Sequence, residues 1–415
     1  MREPTDWMFV RFRLYGFLKN LRFFDPFLIL FFREMGFSFL DIGILYAIRE
    51  ISTNVLEIPT GVLADAFGRR RAMLASFAAY LLSFAIFYAA PRFWAYAVAM
   101  LSFAVGETFR SGTHKAMILE HLRWTGQESR KVAYYGRTRA ASQFGSAIAS
   151  LIAAGLVFWT GAYRIVFLAS TIPYTLGLLL FLTYPKRLDG ERENIDGSFV
   201  RRGWQRICRT ATEFFSTLRH PALLRAMLSS AAFDALFRSS KDYLQPILQA
   251  QALALPVLLT LDSNRRVAMV VGVLYFAIYL VTSFACSRAG HVEQRLRSRA
   301  HAANATLIAG VALLAIAGSA AWGGVPGIAI AAFLLLYGTQ NLRRPILVGV
   351  LSDHLSHRTM ATGLSVETQI RTLFAAGLAP LLGFLADRFG VGVALLLLAA
   401  LATAALPVLR LKVSR

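Results

Sequence analysis

Apolar stretches long enough to cross a lipid bilayer recur along the whole 415-residue chain. A helix needs about 20 mainly apolar residues to cross the hydrocarbon core. By that criterion the sequence predicts twelve membrane-spanning helices, which we number spans 1 to 12. The spans cover residues 11–35, 41–66, 72–90, 93–119, 134–159, 163–184, 221–250, 266–286, 300–320, 325–351, 359–386 and 389–409. We predict α-helices, because a chain that crosses lipid must satisfy its own backbone hydrogen bonds.

The composition agrees with a membrane protein and excludes a soluble one. Charged residues make up 16% of the chain, whereas soluble domains carry roughly 25%. The formal net charge of +21 could suggest a nucleic-acid partner. Nucleic-acid binders cluster their basic residues on a solvated face, but here these residues alternate with apolar runs. We therefore expect the lipid bilayer, and not nucleic acid, as a partner.

The basic residues are distributed unequally between the two predicted sides of the membrane. With both termini placed in the cytoplasm, 27 arginines and lysines fall in inner segments and 6 in outer ones. Cytoplasmic connectors carry such an excess in membrane proteins, and a missed or extra span would scramble it. The sequence therefore predicts a multi-pass protein of the cytoplasmic (inner or plasma) membrane with both termini inside.

One connector is longer and more basic than the others. Residues 186–220 form this predicted cytoplasmic linker, and residues 1–185 and 221–415 on either side each hold six predicted spans. Two six-helix halves of this kind are typical of secondary transporters. We expect an all-α membrane protein with two pseudo-symmetric six-helix halves, acting as a monomer.

A motif of glycines, an aspartate and arginines follows span 2. It reads Gly61-Val62-Leu63-Ala64-Asp65-Ala66-Phe67-Gly68-Arg69-Arg70-Arg71-Ala72-Met73-Leu74. Glycines permit a tight turn and a close helix approach, and the arginines are placed to anchor the next helix at the lipid headgroups. The segment resembles the signature loop of the major facilitator superfamily, with Ala66 replacing the usual basic residue. The resemblance implies the facilitator fold and a conformational motif made of Gly61, Asp65, Gly68, Arg69 and Arg70.

Three other segments are similar to the same superfamily. Segments 57–61 and 106–113 resemble its drug-exporter-like branch, which implies efflux. Segment 383–390 is similar to the signature loop but lies on the predicted outer side. Two features differ from proton-coupled drug antiporters, since span 5 lacks their Gly-Pro pattern and the loop after span 8 lacks an aspartate. These two departures count against export by proton exchange.

Ionisable residues lie inside the predicted spans. A charged group near the bilayer centre costs roughly 2.5–3.5 kcal/mol on insertion scales unless it faces a wet cavity or a partner. In the superfamily that the chain resembles, spans 1, 4, 7 and 10 line the substrate path, and the polar residues of these spans are our candidate substrate-binding residues. They are Lys19, Asn20, Arg22, Asp25, Glu107, Arg110, Asp234, Arg238, Lys241, Gln340, Asn341, Arg343 and Arg344.

Helical spacing predicts that several of these residues pair with each other. Glu107 and Arg110 are three residues apart, and Asp234/Arg238 and Glu367/Arg371 are four apart, so each pair shares a helix face. The pairs either contact substrate or only neutralise each other. Arginine-paired carboxylates can also exchange protons for substrate charge. The proton-coupling candidates are Asp25, Glu57, Glu107, Asp234 and Glu367.

The candidate set holds more basic than acidic residues. Unpaired arginines in a poorly solvated cavity favour carboxylate or phosphate ligands, and Arg343 and Arg344 have no acid within a helical turn. We expect one of these two to contact an anionic or zwitterionic substrate and the other to meet a carboxylate.

The sequence favours secondary active transport of a small amphipathic organic solute by alternating access. A lysolipid or lipid-headgroup translocase would use the same cavity, and a facilitator-fold sensor would transport nothing. We do not expect an enzyme, a cofactor or a metal site, because the sequence contains no phosphate loop, nucleophile elbow, metal-ligand spacing or cofactor fingerprint.

Overall fold

The computed structural model describes residues 7–128, 131–189, 205, 208, 221–256, 259–295, 298–355 and 360–412. Within these ranges the chain forms fifteen α-helices and no β-strand. The first eight are α1 (Trp7–Leu18), α2 (Leu28–Glu34), α3 (Phe39–Phe67), α4 (Arg69–Ala89), α5 (Phe93–Arg110), α6 (Thr113–Trp124), α7 (Lys131–Thr160) and α8 (Ile165–Leu182). The next seven are α9 (Pro221–Ser240), α10 (Leu244–Ala254), α11 (Ser263–Arg295), α12 (Arg299–Trp322), α13 (Pro326–His354), α14 (Met360–Phe389) and α15 (Val391–Leu409).

The helices of the described residues account for all twelve predicted spans, because three spans are each divided in two. Span 1 consists of α1 and α2, span 4 of α5 and α6, and span 7 of α9 and α10. The other spans are single helices at the predicted places, with α11 extending furthest beyond its prediction, to Arg295. The predicted all-α membrane fold is confirmed.

In the described part of the chain, seven helices are long and apolar enough to cross a membrane by themselves. These helices form spans 3, 5, 6, 8, 9, 11 and 12. Spans 1, 2, 4, 7 and 10 are less apolar because they hold most of the ionisable residues, and three of them also contain the breaks. A low hydropathy therefore distinguishes the helices that carry the candidate site residues. Charged side chains are tolerated inside a membrane span only beside a partner or water.

The chain forms two compact units, of which unit 1 comprises Met1–Phe27 and Ser52–Gln205. Aromatic rings fill its centre. The buried Tyr80 of α4 packs edge-on against Phe103 and Tyr174, with ring centroids 5.0 and 5.1 Å apart. A β-carbon on Gly106 of α5 would come within 3.0 Å of the Tyr80 ring. This glycine therefore lets α4 and α5 approach closely enough to bring Tyr80 beside the charged residues of α5.

The signature loop forms a tight turn between α3 and α4, as predicted. Gly68 adopts a φ of 97°, which disfavours any side chain. The backbone N–H of Arg70 donates to the buried carboxylate of Asp189 at 2.8 Å. The Arg70 guanidinium donates to the carbonyls of Phe181 and Leu182 at 3.0 and 2.7 Å. These contacts join the start of α4 to the end of α8.

Two details of the loop differ from the expectation. The Arg70 guanidinium binds carbonyls of α8 instead of serving only as a headgroup anchor, because the last carbonyls of a helix lack partners within that helix. Gly61 has open space where a β-carbon would lie, so it does not mediate a close helix approach.

The other two residues of the predicted conformational motif lie nearby. Arg69 pairs with Glu120 at 3.3 Å. Asp65 is half-buried, and its conformational role stays a prediction.

Gly68→Ala is expected to lower the free energy of unfolding by about 1–3 kcal/mol, the usual cost of a side chain in a sparsely populated backbone region. The added methyl would also press on the Asp189 carboxyl. Gly61→Ala is the matched control and is expected to stabilise α3 by roughly 0.5–1 kcal/mol, because alanine is the better helix former. Denaturant titration of the purified protein in mixed micelles measures both. Equal changes in the two variants would contradict the steric explanation.

Unit 2 comprises Leu28–Ile51 and Arg206–Arg415. Its core includes Met227 of α9, Ile346 of α13 and Val366 of α14. At a helix crossing, the backbone of Trp322 lies where Gly392 of α15 would carry a β-carbon. By its residue ranges, unit 2 contains α2 and the first part of α3 as well as the helices from α9 onward.

The predicted division into residues 1–185 and 221–415 stays a prediction. Most of the predicted linker, residues 186–220, lies outside the described residues. Of the described part, residues 186–189 form a short 3-10 helix. The segment Leu28–Ile51, which belongs to the first predicted half, is grouped with unit 2.

Candidate functional site

Charged residues of spans 1 and 4 meet beside the breaks in these spans. Arg22 lies in the irregular segment between α1 and α2, and Glu107 and Arg110 lie in the last turn of α5. The Glu107 carboxylate pairs with the guanidinium of Arg22 and, at 2.5 Å, with that of Arg110. The predicted Glu107/Arg110 pair is thus confirmed. Together with Lys19 and Tyr80 we call these residues the unit 1 cluster.

Tyr80 of α4 connects the charged groups of this cluster. Its hydroxyl donates to Oε1 of Glu107 at 2.6 Å and accepts from Nε of Arg110 at 3.1 Å. Tyr80 was not among the residues predicted from the sequence. A signal was present, since a tyrosine buried in an apolar span must find a partner for its hydroxyl.

Lys19 is a cation of the unit 1 cluster without an acidic partner of its own. In the described part of the chain, no carboxylate lies within ion-pairing distance of its ammonium, which is 5.9 Å from the centre of the Tyr15 ring. The break in span 1 leaves the Lys19 carbonyl free to accept the Tyr174 hydroxyl at 3.2 Å. Arg22 and Arg110 therefore share the carboxylate of Glu107, and Lys19 adds a third cation to the cluster.

Two further candidates of span 1 lie next to this cluster. The Asn20 side-chain amide donates to the hydroxyl of Ser146 on α7 at 2.9 Å. Asp25 begins a one-turn 3-10 helix before α2 and is half-buried. Of the remaining proton-coupling candidates, Glu57 is half-buried in α3.

A second charged cluster lies in unit 2 and is centred on Asp234 of α9. The Asp234 carboxylate accepts from Arg238 at 2.9 Å, from Arg371 at 3.1 Å and from the Gln340 amide. Arg371 also pairs with Glu367 at 3.8 Å. The predicted pairs Asp234/Arg238 and Glu367/Arg371 are therefore confirmed. We call these five residues the unit 2 cluster.

Glu50 of α3 extends the unit 2 cluster, although it was not among the candidates. Glu50 is only 5% exposed, and its carboxylate lies 2.9 Å from the guanidinium of Arg49 and 3.7 Å from that of Arg238. Arg238 thus lies between Glu50 and Asp234. A buried glutamate in an apolar span signals a functional position by itself, so the sequence held evidence for Glu50.

The break in span 7 carries the next candidate. Lys241, Asp242 and Tyr243 form a 3-10 turn between α9 and α10. Lys241 pairs with the neighbouring Asp242 carboxylate, which also accepts from the Tyr46 hydroxyl at 3.3 Å. Lys241 is therefore compensated within unit 2, unlike Lys19 in unit 1.

The structure places Arg343 in a tightly packed interior. Its side chain donates to the backbone carbonyls of Ser229 and Ala303 and to the hydroxyls of Ser229 and Thr306, the Thr306 bond being 3.1 Å long. The guanidinium also lies 5.0 Å from the centre of the Phe233 ring. Arg343 is only 2% exposed, so helix packing explains it better than ligand contact does.

The neighbouring candidates of span 10 lie in different surroundings. Arg344 is exposed, because adjacent residues of a helix point about 100° apart. The Asn341 amide donates to the Tyr337 carbonyl one turn earlier at 2.9 Å. Of the two arginines, Arg344 is therefore the one whose side chain is accessible to a ligand.

Comparison with known proteins identifies the family. The family model of the Major Facilitator Superfamily matches residues 17–369. A curated relative, the uncharacterized MFS-type transporter YxaM of Bacillus subtilis (strain 168), is 31% identical over 90 residues, which are 22% of this chain and 23% of the relative. The match thus spans less than a quarter of that relative's length.

Solved structures share the fold. A mutant of the nucleoside transporter NupG has a TM-score of 0.77 at 10% identity, with 97% of this chain and 98% of that chain covered. A POT family transporter in complex with 5-aminolevulinic acid has a TM-score of 0.69 at 13% identity, with 96% and 93% covered. The peptide transporter POT in complex with alafosfalin, also a mutant, has a TM-score of 0.70 at 14% identity, with 98% and 96% covered. Because the family match covers most of the chain and the fold agrees with it, the chain belongs to the major facilitator superfamily.

Proposed function

We propose that this membrane transporter moves a small anionic or zwitterionic organic solute by secondary active, alternating-access transport. The observation that carries the proposal is the excess of cations in the unit 1 cluster, where Arg22 and Arg110 share the Glu107 carboxylate and Lys19 adds a third positive charge. From the distribution of its basic residues we place the protein in the cytoplasmic membrane with both termini inside. That it acts as a monomer is a further part of the proposal.

The chemistry of the unit 1 cluster suits a carboxylate or phosphate group. Arg22 and Arg110 contact Glu107 through parts of their guanidinium groups, and each retains further N–H donors for a second acceptor. Lys19 adds a point charge. Glu107 and Tyr80 hold the two arginines in place, and charge-assisted hydrogen bonds are the strong ones. A zwitterion would present its ammonium to Glu107.

Ligand-induced thermal stabilisation of the purified protein tests this proposal. The library should span small carboxylates, phosphates, zwitterions, organic cations, neutral drugs and lysolipids. We expect stabilisation by anionic or zwitterionic members, and Lys19→Gln should weaken the binding about tenfold or more, since a hydrogen bond to a charged group is worth about 1.5–3 kcal/mol.

Arg13→Gln is the matched control for this experiment. Arg13 is an exposed cation of the same span, on α1, and its removal should leave the dissociation constant within twofold. Stabilisation by organic cations alone, or an equal loss of affinity in both variants, would contradict the anion site.

Proton coupling stays a proposal for Asp25, Glu57, Glu107, Asp234 and Glu367. Glu107 and Asp234 each contact two guanidinium groups. Glu367 is buried and contacts one, at 3.8 Å, together with the Ser230 hydroxyl at 2.9 Å. Fewer contacts must break to release Glu367, so we favour it as the coupling residue.

Glu367→Gln is expected to abolish accumulation driven by a pH gradient in proteoliposomes while leaving exchange of substrate for substrate intact. The substrate used would be the strongest binder from the screen. Retained pH-driven accumulation in this variant would remove Glu367 as the coupling residue.

Asp65 is proposed to control conformational change and not ligand binding. The signature loop places it in the last turn of α3, at the end of the span. Asp65→Asn should slow turnover while leaving equilibrium affinity within a few-fold. Loss of binding by a folded variant would contradict this role.

A lysolipid or lipid-headgroup translocase is the second candidate function, and one observation favours it. Unit 2 contains an apolar cavity of about 340 Å³ lined by residues of α9, α12, α14 and α15, among them Phe233, Leu373 and Gly377. A single acyl chain would suit such a lining. Gly377→Phe should then remove stabilisation by lysolipids in the screen, and unchanged lysolipid binding would dismiss this candidate.

A further inference from the structure

A segment that joins spans 1 and 2 is attached to unit 2 by polar contacts. This segment, Leu28–Ile51, contains α2 and the first part of α3 and belongs to unit 2, whereas the residues before and after it belong to unit 1. We call it the strap. By chain order it includes the connector on the membrane face opposite the two termini. The long helix α3 begins at this connector, whereas α2 begins at the break in span 1. The first N–H groups of a helix have no partner within the helix.

The first turn of α3 receives its missing partners from two sources. Ser38 and Asp41 form a capping box, in which the Asp41 N–H donates to the Ser38 hydroxyl at 3.0 Å and the Ser38 N–H to the Asp41 carboxylate at 3.0 Å. The two remaining N–H groups, those of Phe39 and Leu40, donate to the carboxylate of Asp387 at 2.9 and 2.7 Å. A negative charge at this end of a long helix is further favoured by the helix dipole.

Two glycines allow the backbones of α3 and α14 to approach each other at this point. A β-carbon on Gly383 would overlap the carbonyl of Phe39, and one on Gly43 would overlap the carbonyl of Ala379. Gly383 and Asp387 both belong to segment 383–390, which is similar in sequence to the signature loop. This second copy of the motif therefore has a structural partner, the start of α3.

Other strap contacts are polar as well. The N–H of Ile29 donates to the fully buried side chain of Gln245 at 2.8 Å, and Asn264 donates to Glu34 at 2.8 Å. Asp387 itself is exposed. Because water can replace the carboxylate at the N–H groups of Phe39 and Leu40, these bonds can break and reform at little cost.

We propose that segment 383–390 is a latch, in which Asp387 is the positioning residue that holds the strap on unit 2 and exchanges its two backbone N–H partners for water when this membrane face opens. The proposal rests on the alternating-access function proposed above, since only a protein that opens both faces in turn must release the strap. The latch acts on the equilibrium between the closed and open forms of this face and not on substrate binding.

Distance measurements between spin labels test the latch without any substrate. Labels are placed at Met35→Cys on the strap and Leu259→Cys on the exposed turn before α11, in a background in which Cys208 and Cys286 are serine. Asp387→Ala is expected to raise at least fivefold the fraction of molecules in which the two labels are at the longer of their distances, that of the open form. Asp387→Asn keeps an acceptor oxygen and should give a smaller increase.

Asp262→Ala is the matched control. Asp262 is also an exposed carboxylate that accepts a backbone N–H at a helix start, that of Arg265 at 2.9 Å, but it caps its own helix, α11. Its removal should leave the distance distribution unchanged. An unchanged distribution in folded, monodisperse Asp387→Ala, or an equal shift in Asp262→Ala, would overturn the latch.

The result separates the latch from the proposed function. A shift in Asp387→Ala with no ligand found in the binding screen would support the latch and count against the anion transporter. A confirmed anionic ligand with an unchanged distance distribution would support the transporter and overturn the latch.

Discussion

Glu107→Gln is expected to lower the free energy of unfolding by about 3 kcal/mol, at the low end of the range for breaking a buried ion pair because the site is partly open. The substitution keeps the side-chain volume, so no cavity forms. It leaves the guanidinium groups of Arg22 and Arg110 close together without their shared carboxylate. The cost is therefore the mutual repulsion and the poor solvation of two cations.

Denaturant titration in mixed micelles measures this cost, with Glu120→Gln as control. Glu120 pairs with Arg69 at 3.3 Å and its side chain is 31% exposed. A single pair of this kind contributes about 0–1 kcal/mol, so the control should unfold almost like the original protein. A loss below about 1 kcal/mol in Glu107→Gln would show that water solvates the two arginines in place of Glu107.

Arg343→Gln is expected to lower the free energy of unfolding by about 2–4 kcal/mol and to leave ligand affinity within twofold. The shorter side chain cannot reach all the oxygens that the guanidinium now satisfies on Ser229, Ala303 and Thr306. Each buried acceptor left without a donor costs about 1–3 kcal/mol. The substitution should therefore lower the free energy of unfolding without changing the affinity for the ligand.

Arg344→Gln is the matched control, because Arg344 is the exposed neighbour on the same helix. Its free energy of unfolding should change by less than about 0.5 kcal/mol, as for most surface substitutions. If Arg343→Gln weakened binding of the anion found in the screen and left stability unchanged, Arg343 would be a ligand contact after all, as the sequence alone suggested.

The sequence was sufficient to predict the spans and the pairs formed within one helix. Both depend on local rules, namely the length needed to cross the bilayer and the positions that share a helix face. Glu107 and Arg110 therefore pair as predicted. The same rules do not show which side of a helix faces a neighbouring helix. Arg343 was selected for its lack of an acid nearby in sequence, and its real partners lie 37 to 114 residues away.

The contacts that the sequence analysis missed join distant parts of the chain. Tyr80 and Glu107 are 27 residues apart, Arg70 and Asp189 are 119 apart, and Ile29 and Gln245 are 216 apart. No periodicity reports such a contact, because it depends on how helices pack. The breaks in spans 1, 4 and 7 were missed for a related reason. Length and hydropathy alone decided the spans, although Pro26 and Gly112, which disfavour a continuous helix, lie at two of the breaks. Tertiary contacts such as Tyr174 to the Lys19 carbonyl also support the irregular backbone.

Transport itself is tested most directly in proteoliposomes that contain the purified protein. A mixture of small carboxylates, phosphates, zwitterions, organic cations and neutral compounds is presented outside, and the contents of the washed vesicles are analysed by mass spectrometry. Empty liposomes and liposomes with Asp65→Asn serve as controls. We predict that at least one anionic or zwitterionic compound enters only the vesicles with the original protein. Entry of cations or neutral compounds alone, or of nothing beyond the controls, would contradict an anion transporter.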